Sequence, residues 1–262
     1  MLSYIFAAFS ALGSILLVCG TQIHWLWVLP IFLGSYIALN VLFFCALWFS
    51  TIFLPKKDPI DKPRNFYGII WFVCDWICGL MRVKIDFKGM EKFPSKPFVL
   101  VSNHISNFDP IVVLAKVKGR KIAFVSKPSN FKIPVAGPYT HNAGFLAIDR
   151  ENAMRAMRTI KRASELVVSE QMIMGIYPEG TRSKTGELLE FKEGAFLLAK
   201  RAKAPVVVIT TKGTNQIAKN KIIKSTKVEL DVIEVIDSET VQNLKLSELS
   251  AHVRESIANA LQ

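Results

Sequence analysis

The sequence predicts an α/β domain, a mixed sheet flanked by helices, preceded by an N-terminal two-helix hydrophobic membrane hairpin. Two observations carry this prediction. The first 55 residues contain no Asp, Glu, Lys or Arg, whereas the rest of the chain holds the whole formal net charge of +12. From Val83 onward, short apolar runs alternate with stretches of helical periodicity, as strands alternate with crossover helices. We therefore expect a membrane hairpin over residues 1–54, a linker and interfacial helix over 55–82, and the α/β domain over 83–262.

The uncharged N-terminal stretch contains two apolar segments. Leu2–Gly20 is long enough to cross a hydrocarbon core of about 30 Å, and Trp25–Leu54 is longer, with two tryptophans at its start where interfacial aromatics prefer to lie. The basic pair Lys56–Lys57 follows and predicts a cell-membrane protein with the rest of its chain on the cytoplasmic side. Pro30 and Gly34 leave open a hairpin that enters and leaves by one leaflet.

A third apolar segment, Phe66–Met81, has helical periodicity and basic residues at both ends. We expect this amphipathic helix to lie in the membrane interface plane. All four cysteines fall within the apolar N-terminal part of the chain, and their simplest role is that of small hydrophobic side chains. Cys74 and Cys78 share one helix face, but no other Cys or His pair has ligand spacing, so no metal site is predicted.

The remainder of the chain has the length of one domain with a real core. A last helical pattern, Ser247–Leu261, closes it, and Ser247 is predicted to cap that helix. The apolar runs that predict strands are Val83–Phe87, Phe98–Val101, Ile122–Val125, Gly144–Ile148, Met172–Tyr177, Val206–Thr210 and Val228–Val235.

The segment Asn103–Pro110 follows one of these strands and precedes a short predicted helix. It brings a histidine and a carboxylate to the same strand end. Asp109, five residues after His104, can fold back to one imidazole nitrogen and leave the other free, which is the arrangement of a general base with its orienting partner. In isolation the same residues fit a helix cap and a satisfied core histidine.

Two further strand ends carry polar residues. Gly144–Arg150 ends in an Asp-Arg pair, at the edge where open α/β sheets bind ligands, although a surface ion pair would look the same. Tyr177–Ser183 places an acid, a glycine, two hydroxyls and an arginine in one turn, which favours phosphate. Gly180 allows close backbone approach, Thr181 can donate, and Arg182 offers a planar fork that matches phosphate oxygens. Two charged residues are predicted to support this turn: Glu179, which holds the loop, and Lys192, which opens a helix or is only a solvated charge.

These segments, in this order and followed by Ala204–Val208, resemble the four sequence blocks of the glycerolipid acyltransferases. Within that family the chain is most similar to the bacterial 1-acyl-glycerol-3-phosphate acyltransferases, over about Val83 to Thr214. The resemblance implies that His104 is the base and Asp109 its partner. It implies a glycerol-phosphate site at Gly180, Thr181 and Arg182 with Arg150 nearby, supported by Asn103 and Ser106 at the base, and an acyl-chain tunnel beside Pro205. Many relatives have a second proline where this chain has Val208–Ile209. The resemblance therefore gives less basis for predicting which acyl-chain length the protein selects.

The implied reaction is transfer of an acyl group from an acyl-carrier protein or coenzyme A thioester to the 2-hydroxyl of lysophosphatidic acid, with no cofactor. The alternative acceptors are another lysophospholipid and glycerol 3-phosphate. We expect direct transfer, because no second base accompanies Ser106 and a serine acyl-enzyme at Ser129–Lys132 lacks a Ser-Asp-Asn element. A non-enzymatic basic module that binds anionic membrane lipid ranks lower, and nucleic acid is not expected as a partner, because no recognition motif accompanies the charge.

Overall fold

The structure is a computed structural model that describes residues 2–21, 23–55, 62–170 and 172–262. The pair Lys56–Lys57, on which the predicted orientation rests, lies outside the described residues. The helices are α1 (Leu2–Thr21), α2 (Val28–Ser50), α3 (Tyr67–Leu80), α4 (Asp109–Lys116), α5 (Ala136–Asn142), α6 (Ala153–Ser169), α7 (Leu197–Ala202), α8 (Ile217–Asn220), α9 (Ser238–Asn243) and α10 (Leu246–Leu261). The strands are β1 (Val83–Lys88), β2 (Val99–Ser102), β3 (Ile122–Ser126), β4 (Leu146–Ala147), β5 (Ile173–Ile176), β6 (Val206–Lys212) and β7 (Thr226–Ile236).

Helices α1 and α2 form the predicted apolar hairpin, joined through a 3₁₀ turn at Trp25–Trp27. Ser10, Ser14 and Val18 recur on one face of α1 and are buried, whereas most large apolar side chains of the hairpin are exposed. Small residues four apart let two helices approach closely, as in membrane helix pairs. By length and composition both segments could cross a membrane. Spanning the bilayer and insertion into one leaflet both stay predictions.

The seven strands form one sheet in the order β1-β7-β6-β2-β5-β3-β4. Strands β2 to β6 are mutually parallel, β7 is antiparallel to β6, and β1 is parallel to β7. The central strands β2 and β5 are buried along their whole length, as expected when helices cover both faces of a parallel sheet. The predicted mixed α/β sheet is therefore confirmed.

The helices form two groups around the sheet. Helix α4 packs against α3, whereas α6 packs against α7, which also contacts α9. With right-handed crossovers, this strand order places α4 on one face of the sheet and α6 and α7 on the other. These three helices begin after the carboxyl ends of strands, so that edge of the sheet is left open for loops.

The segment predicted as an interfacial helix forms α3 and packs on protein along both sides. Tyr67, Ile70 and Cys74 are buried in the main hydrophobic core, and the Trp76 ring lies 4.5 Å from that of Phe44 in α2. Burial also raises the pKa of the Cys74 and Cys78 thiols, in keeping with their prediction as small hydrophobic side chains. The position of α3 in a membrane interface stays a prediction, but its apolar face is already occupied by protein.

Two local predictions are wrong. The cap of α10 is Lys245, whose backbone N–H donates to the Glu248 carboxylate at 2.8 Å, so Ser247 lies inside the first turn. The predicted strand Gly144–Ile148 shrinks to two residues. Gly144 adopts a left-handed conformation with φ +95° and donates its N–H to the His141 carbonyl, because it closes the end of α5 before the chain can extend.

Candidate active site

Three neighbouring parallel strands deliver the candidate residues to one edge of the sheet. Strand β2 is followed by Asn103 and His104, β5 by the turn Tyr177–Ser183, and β6 by Thr214. The carboxyl ends of adjacent parallel strands meet at the same edge, where α/β proteins place their ligands. The predicted base and the predicted phosphate turn are therefore side by side.

His104 and Asp109 form a direct pair. The Nδ1 atom of His104 lies 2.7 Å from Oδ2 of Asp109, which is completely buried, while the histidine side chain remains 16% exposed. The pairing follows from local structure, because Asp109 begins α4 and the loop before it curls back over the helix start. Asp109 is at the first helical position and Pro110 at the second.

The Asp109 carboxylate is held by donors on all sides. Its Oδ2 also accepts the backbone N–H groups of Ile105 and Ser106, both at 2.9 Å, and its Oδ1 accepts the Thr214 hydroxyl at 2.5 Å. A carboxyl group that receives only donors is an ionised acceptor. The fourth donor must then be Nδ1–H of His104, so the neutral imidazole carries its lone pair on Nε2. Among the described residues, no hydrogen bond engages that Nε2 atom.

Tyr177 is a site residue that the sequence did not reveal. Its ring stacks on the His104 imidazole, with centroids 4.2 Å apart and planes 18° apart, and the Phe124 ring also stacks with Tyr177, with centroids 5.6 Å apart. Phe124 fits because position 175 is glycine, where a Cβ would approach the Phe124 ring to 2.3 Å. Burial and the Asp109 charge raise the pKa of Tyr177 well above its ordinary value, so the phenol is neutral. The His104 imidazole is thus packed against an aromatic cluster formed by Tyr177 and Phe124.

Glu179 ties the phosphate turn to the histidine loop. Its Oε1 accepts the His104 backbone N–H at 2.5 Å, and its Oε2 accepts that of Leu189 at 3.0 Å. The Ser183 backbone N–H donates to the His104 carbonyl at 2.8 Å, which adds a second tie. Burial raises the pKa of Glu179, and the two N–H donors partly offset that rise. Both carboxylate oxygens are engaged, so Glu179 supports the loop.

Asn103 and Ser106 stabilise the other side of the loop. The Asn103 side chain donates to the Thr211 carbonyl at 3.0 Å and accepts the Thr211 N–H at 2.8 Å, so it continues the β2–β6 ladder where the main chains separate. The Ser106 hydroxyl accepts the Phe108 N–H at 3.2 Å. These bonds let the backbone at His104 turn toward Glu179.

The turn after β5 presents unpaired cationic and amide groups. Gly180 has φ +68°, and a Cβ there would lie 3.1 Å from the Lys192 side chain, which therefore crosses the turn. Thr181 and Arg182 are exposed, and in the described structure neither their backbone N–H groups nor the Arg182 guanidinium has a hydrogen bond. Lys192 precedes the 3₁₀ turn Glu193–Ala195, which Phe196 joins to α7. The turn can thus receive an anion.

Two predicted site residues lie farther away. Arg150 follows β4, which lies two strands, or about 10 Å across the sheet, from β5 and the phosphate turn that follows it. Asp149 pairs with Arg155 at 3.3 Å instead, and partial desolvation lowers the pKa of the Arg150 guanidinium although the residue is exposed. Pro205 precedes β6, which spans about 20 Å, and so lies at the opposite end of that strand from Thr214; its carbonyl accepts the Val99 N–H at 2.9 Å. Its place beside an acyl tunnel stays a prediction.

Comparison with known proteins connects this geometry to a family. Residues 84–212 match the family model described as Acyltransferase. The human 1-acyl-sn-glycerol-3-phosphate acyltransferase beta is 33% identical over 206 residues, which cover 75% of this chain and 73% of the human one. The chain belongs to the 1-acyl-sn-glycerol-3-phosphate acyltransferase family. All four predicted sequence blocks lie within or at the border of the family match.

Two further comparisons show how much of the chain shares this similarity. The chloroplastic 1-acyl-sn-glycerol-3-phosphate acyltransferase BAT2 of Brassica napus is 40% identical over 136 residues, which cover 51% of this chain and only 39% of the plant protein. The crystal structure of the 1-acyl-sn-glycerophosphate (LPA) acyltransferase PlsC from Thermotoga maritima is 22% identical with a TM-score of 0.61, covering 84% of this chain and 87% of that one. The structural likeness extends the shared fold beyond the sequence block to most of the chain.

Proposed function

We propose that this chain transfers a fatty acyl group from an acyl thioester to the 2-hydroxyl of lysophosphatidic acid, giving phosphatidic acid. The observation that carries the proposal is the His104–Asp109 pair, in which a fully buried carboxylate holds Nδ1 at 2.7 Å and leaves Nε2 free beside a phosphate-type turn. The names of the family relatives, 1-acyl-sn-glycerol-3-phosphate acyltransferases, support lysophosphatidic acid as the acceptor. A binding module has no need of this buried pair.

His104 acts as the general base. Its Nε2 takes the proton of the acceptor 2-hydroxyl as that oxygen attacks the thioester carbonyl carbon, and the buried Asp109 stabilises the imidazolium that forms. The C–S bond then breaks, and the imidazolium returns its proton to the leaving thiolate. General-base assistance supplies roughly 10² to 10⁴ in rate, so the remainder must come from positioning.

Positioning of the acceptor falls to the turn after β5. Arg182, Lys192 and the free amides of Thr181 and Arg182 can bind the phosphate, while the ties from Glu179 and Ser183 fix this turn relative to His104. Arg150 lies farther along the same edge and can contact the phosphate only from the outer side. The phosphate and the reacting hydroxyl are then held by two loops that share hydrogen bonds.

Direct transfer is the simplest course. The nearest hydroxyl in the histidine loop, Ser106, accepts the Phe108 N–H and lies on the buried side of the turn. The amides of His104, Ile105 and Ser106 are also occupied, by Glu179 and Asp109, and are not free for an oxyanion. The donor that stabilises the oxyanion must therefore lie outside these three amides.

The proposal also specifies the acyl donor, the alternative acceptors and the location of the catalytic domain. The donor is a thioester of acyl-carrier protein or of coenzyme A, no cofactor is needed, and the catalytic domain lies on the cytoplasmic side of the cell membrane. The second candidate acceptors are another lysophospholipid and glycerol 3-phosphate, since the same turn binds any phosphate.

A matrix of substrates tests the proposal. The purified full chain in detergent is supplied with lysophosphatidic acid, lysophosphatidylglycerol or glycerol 3-phosphate, each with acyl-carrier-protein and coenzyme A thioesters, and products are identified by mass. Fastest turnover is expected with lysophosphatidic acid. Ser129→Ala should retain full activity, because direct transfer does not use that serine. Turnover of glycerol 3-phosphate alone would reassign the acceptor, and no turnover of any pair would overturn the proposal.

A further inference from the structure

The connection from β6 to β7 carries an unusual exposed tip. Ile222 and Ile223 are 56% and 79% exposed. Among the residues that the structure describes, Ile223 is the most exposed large apolar residue. Exposed isoleucines are common singly, but two adjacent ones at a loop tip form an apolar point without a partner in the fold.

Hydrogen bonds hold this tip in place. The Arg82 guanidinium donates to the Ile223 carbonyl at 3.0 Å, and the Arg82 carbonyl accepts the Ser225 hydroxyl at 3.0 Å. Lys221 adopts φ +51°, which costs energy for a residue with a Cβ, and its N–H donates to the Ile217 carbonyl at 3.0 Å. The fold therefore presents both isoleucines outward as an ordered feature.

Positive charge surrounds the tip. Lys219, Lys221 and Lys224 flank the two isoleucines, and no acidic residue occurs between Gly213 and Val228. None of these three lysines has an ion pair within the described part of the chain. An apolar loop tip flanked by lysines is suited to the membrane interface, where apolar side chains contact acyl chains and lysines contact anionic headgroups.

The tip lies at the same end of the molecule as the catalytic pair. The connection starts at Thr214, which bonds Asp109, and ends at Thr226, which pairs with Val83 at the start of β1. Val83 follows α3 directly, so Ile222 and Ile223 sit beside the carboxyl end of α3.

The membrane hairpin extends toward that same end. Ser50 at the end of α2 bonds Tyr139, whose ring contacts Phe66 before the start of α3, whereas Phe44 contacts Trp76 farther along α3. Helices α2 and α3 therefore run antiparallel, and the part of the hairpin before Phe44 continues past the carboxyl end of α3. The free end of the hairpin and the isoleucine tip leave the domain on the same side.

We propose that Ile222 and Ile223 insert into an anionic lipid surface while Lys219, Lys221 and Lys224 bind its headgroup phosphates. This second membrane contact, beside the hairpin, fixes the open sheet edge against the bilayer where a lipid acceptor resides. A protein partner fits less well, because two side chains offer far less than the about 800 Å² per partner of a stable interface. The inference rests on the predicted membrane hairpin and does not depend on the proposed reaction.

Fluorescence in vesicles tests the contact in the full chain. An environment-sensitive probe is attached at Ile223→Cys after the two exposed cysteines are removed by Cys19→Ala and Cys45→Ala; Cys74 and Cys78 are buried. The matched control is a probe at Met90→Cys, because exposed Met90 follows β1 at the opposite edge of the sheet. In vesicles of phosphatidylcholine and phosphatidylglycerol, we expect a blue shift and quenching by a lipid-borne quencher at position 223 but not at position 90.

Two variants in the Ile223→Cys background sharpen the test. Ile222→Asp should abolish the shift, since a carboxylate resists transfer out of water, and Ile222→Leu should preserve it. Quenching should weaken in phosphatidylcholine alone, because the lysines lose their anionic partners. Equal emission at positions 223 and 90, quenching that ignores phosphatidylglycerol, or shielding of the probe without lipid quenching would each overturn the proposal. Catalytic failure of the chain would leave this readout intact.

Discussion

Asp109→Asn should reduce transfer far less than the loss of a catalytic carboxylate usually does. The reason is the orientation that the surrounding donors impose on the amide. Three donors converge on Oδ2, from His104, Ile105 and Ser106, whereas Oδ1 faces only the Thr214 hydroxyl. An amide NH₂ in the place of Oδ2 would face three N–H groups. In the place of Oδ1 it faces the Thr214 hydroxyl, which can rotate and accept a hydrogen bond. The amide oxygen should therefore stay toward His104.

This orientation preserves the tautomer of His104 and removes only the charge of its partner. A hydrogen bond to a charged group is worth about 1.5–3 kcal/mol and a neutral one about 0.5–1.5 kcal/mol, so the variant loses about 1–2 kcal/mol. At about 1.36 kcal/mol per tenfold, kcat should fall about 5- to 30-fold. When such an amide instead turns its NH₂ to the histidine, the wrong tautomer costs about 10⁴-fold. The two cases are widely separated.

The assay is the initial rate of phosphatidic acid formation at saturating lysophosphatidic acid, with circular dichroism to verify folding. Nitrogen NMR of labelled histidine reports independently which ring nitrogen of His104 carries the proton. The matched control is Asp109→Asn with Thr214→Val, in which the amide NH₂ loses its acceptor, so the preference for the productive orientation weakens and the loss should exceed that of the single variant. A loss near 10⁴-fold in the single variant would refute the argument from donor geometry.

Three other substitutions test the surrounding site. Tyr177→Leu removes the stacked ring beneath His104, so kcat should fall about 2- to 30-fold, as expected for a cation–π contact of about 0.5–2 kcal/mol to the imidazolium, with an unchanged Michaelis constant for the acceptor. Glu179→Gln should lower the free energy of unfolding in urea by about 1–3 kcal/mol, because either amide orientation turns an NH₂ toward the N–H of His104 or Leu189. Arg182→Ala should raise the apparent Michaelis constant for lysophosphatidic acid about 10- to 150-fold by removing a charged phosphate contact.

The substitutions at Tyr177 and Arg182 have matched controls. Tyr177→Phe keeps the ring and should keep kcat, and a loss equal to that of Tyr177→Leu would assign the effect to the hydroxyl. Arg182→Lys should recover little, since lysine lacks the planar fork, whereas Arg158→Ala on exposed α6 should change nothing. An acceptor constant unchanged in Arg182→Ala would move the phosphate elsewhere. Unaltered stability of Glu179→Gln would mean that the turn does not depend on those two bonds.

Much of the fold is predictable from the sequence because the central strands β2, β3, β5 and β6 are almost entirely buried on both faces. Continuous apolar runs such as Val206–Thr210 have no helical period, so they were recognised within a few residues. The antiparallel pairing of β7 with β6 depends on which neighbours a strand meets in space, and no local pattern encodes it. Residue type favours Ser247 as a cap, whereas the backbone of Lys245 and the Glu248 side chain form the actual helix start.

The candidate site divides in the same way. His104 and Asp109 are five residues apart, so their pairing could be proposed from chain geometry alone. Thr214 and Tyr177 act across strands, and their contacts with the pair appear only when β6, β2 and β5 lie side by side. A signal for Thr214 was present, since a hydroxyl follows the end of a predicted strand at the same edge. The ring of Tyr177 gave no comparable signal, because an aromatic residue at a strand end is usually core.

The most direct test of the central claim compares His104→Ala with the unaltered chain in phosphatidic acid formation from lysophosphatidic acid and an acyl thioester. Because the structure leaves Nε2 of His104 as the free base and offers no second base in that loop, the rate should fall by roughly 10² to 10⁴. Folding by circular dichroism and acceptor binding should be unchanged. Retention of more than about a tenth of the rate would contradict a general base worth that much.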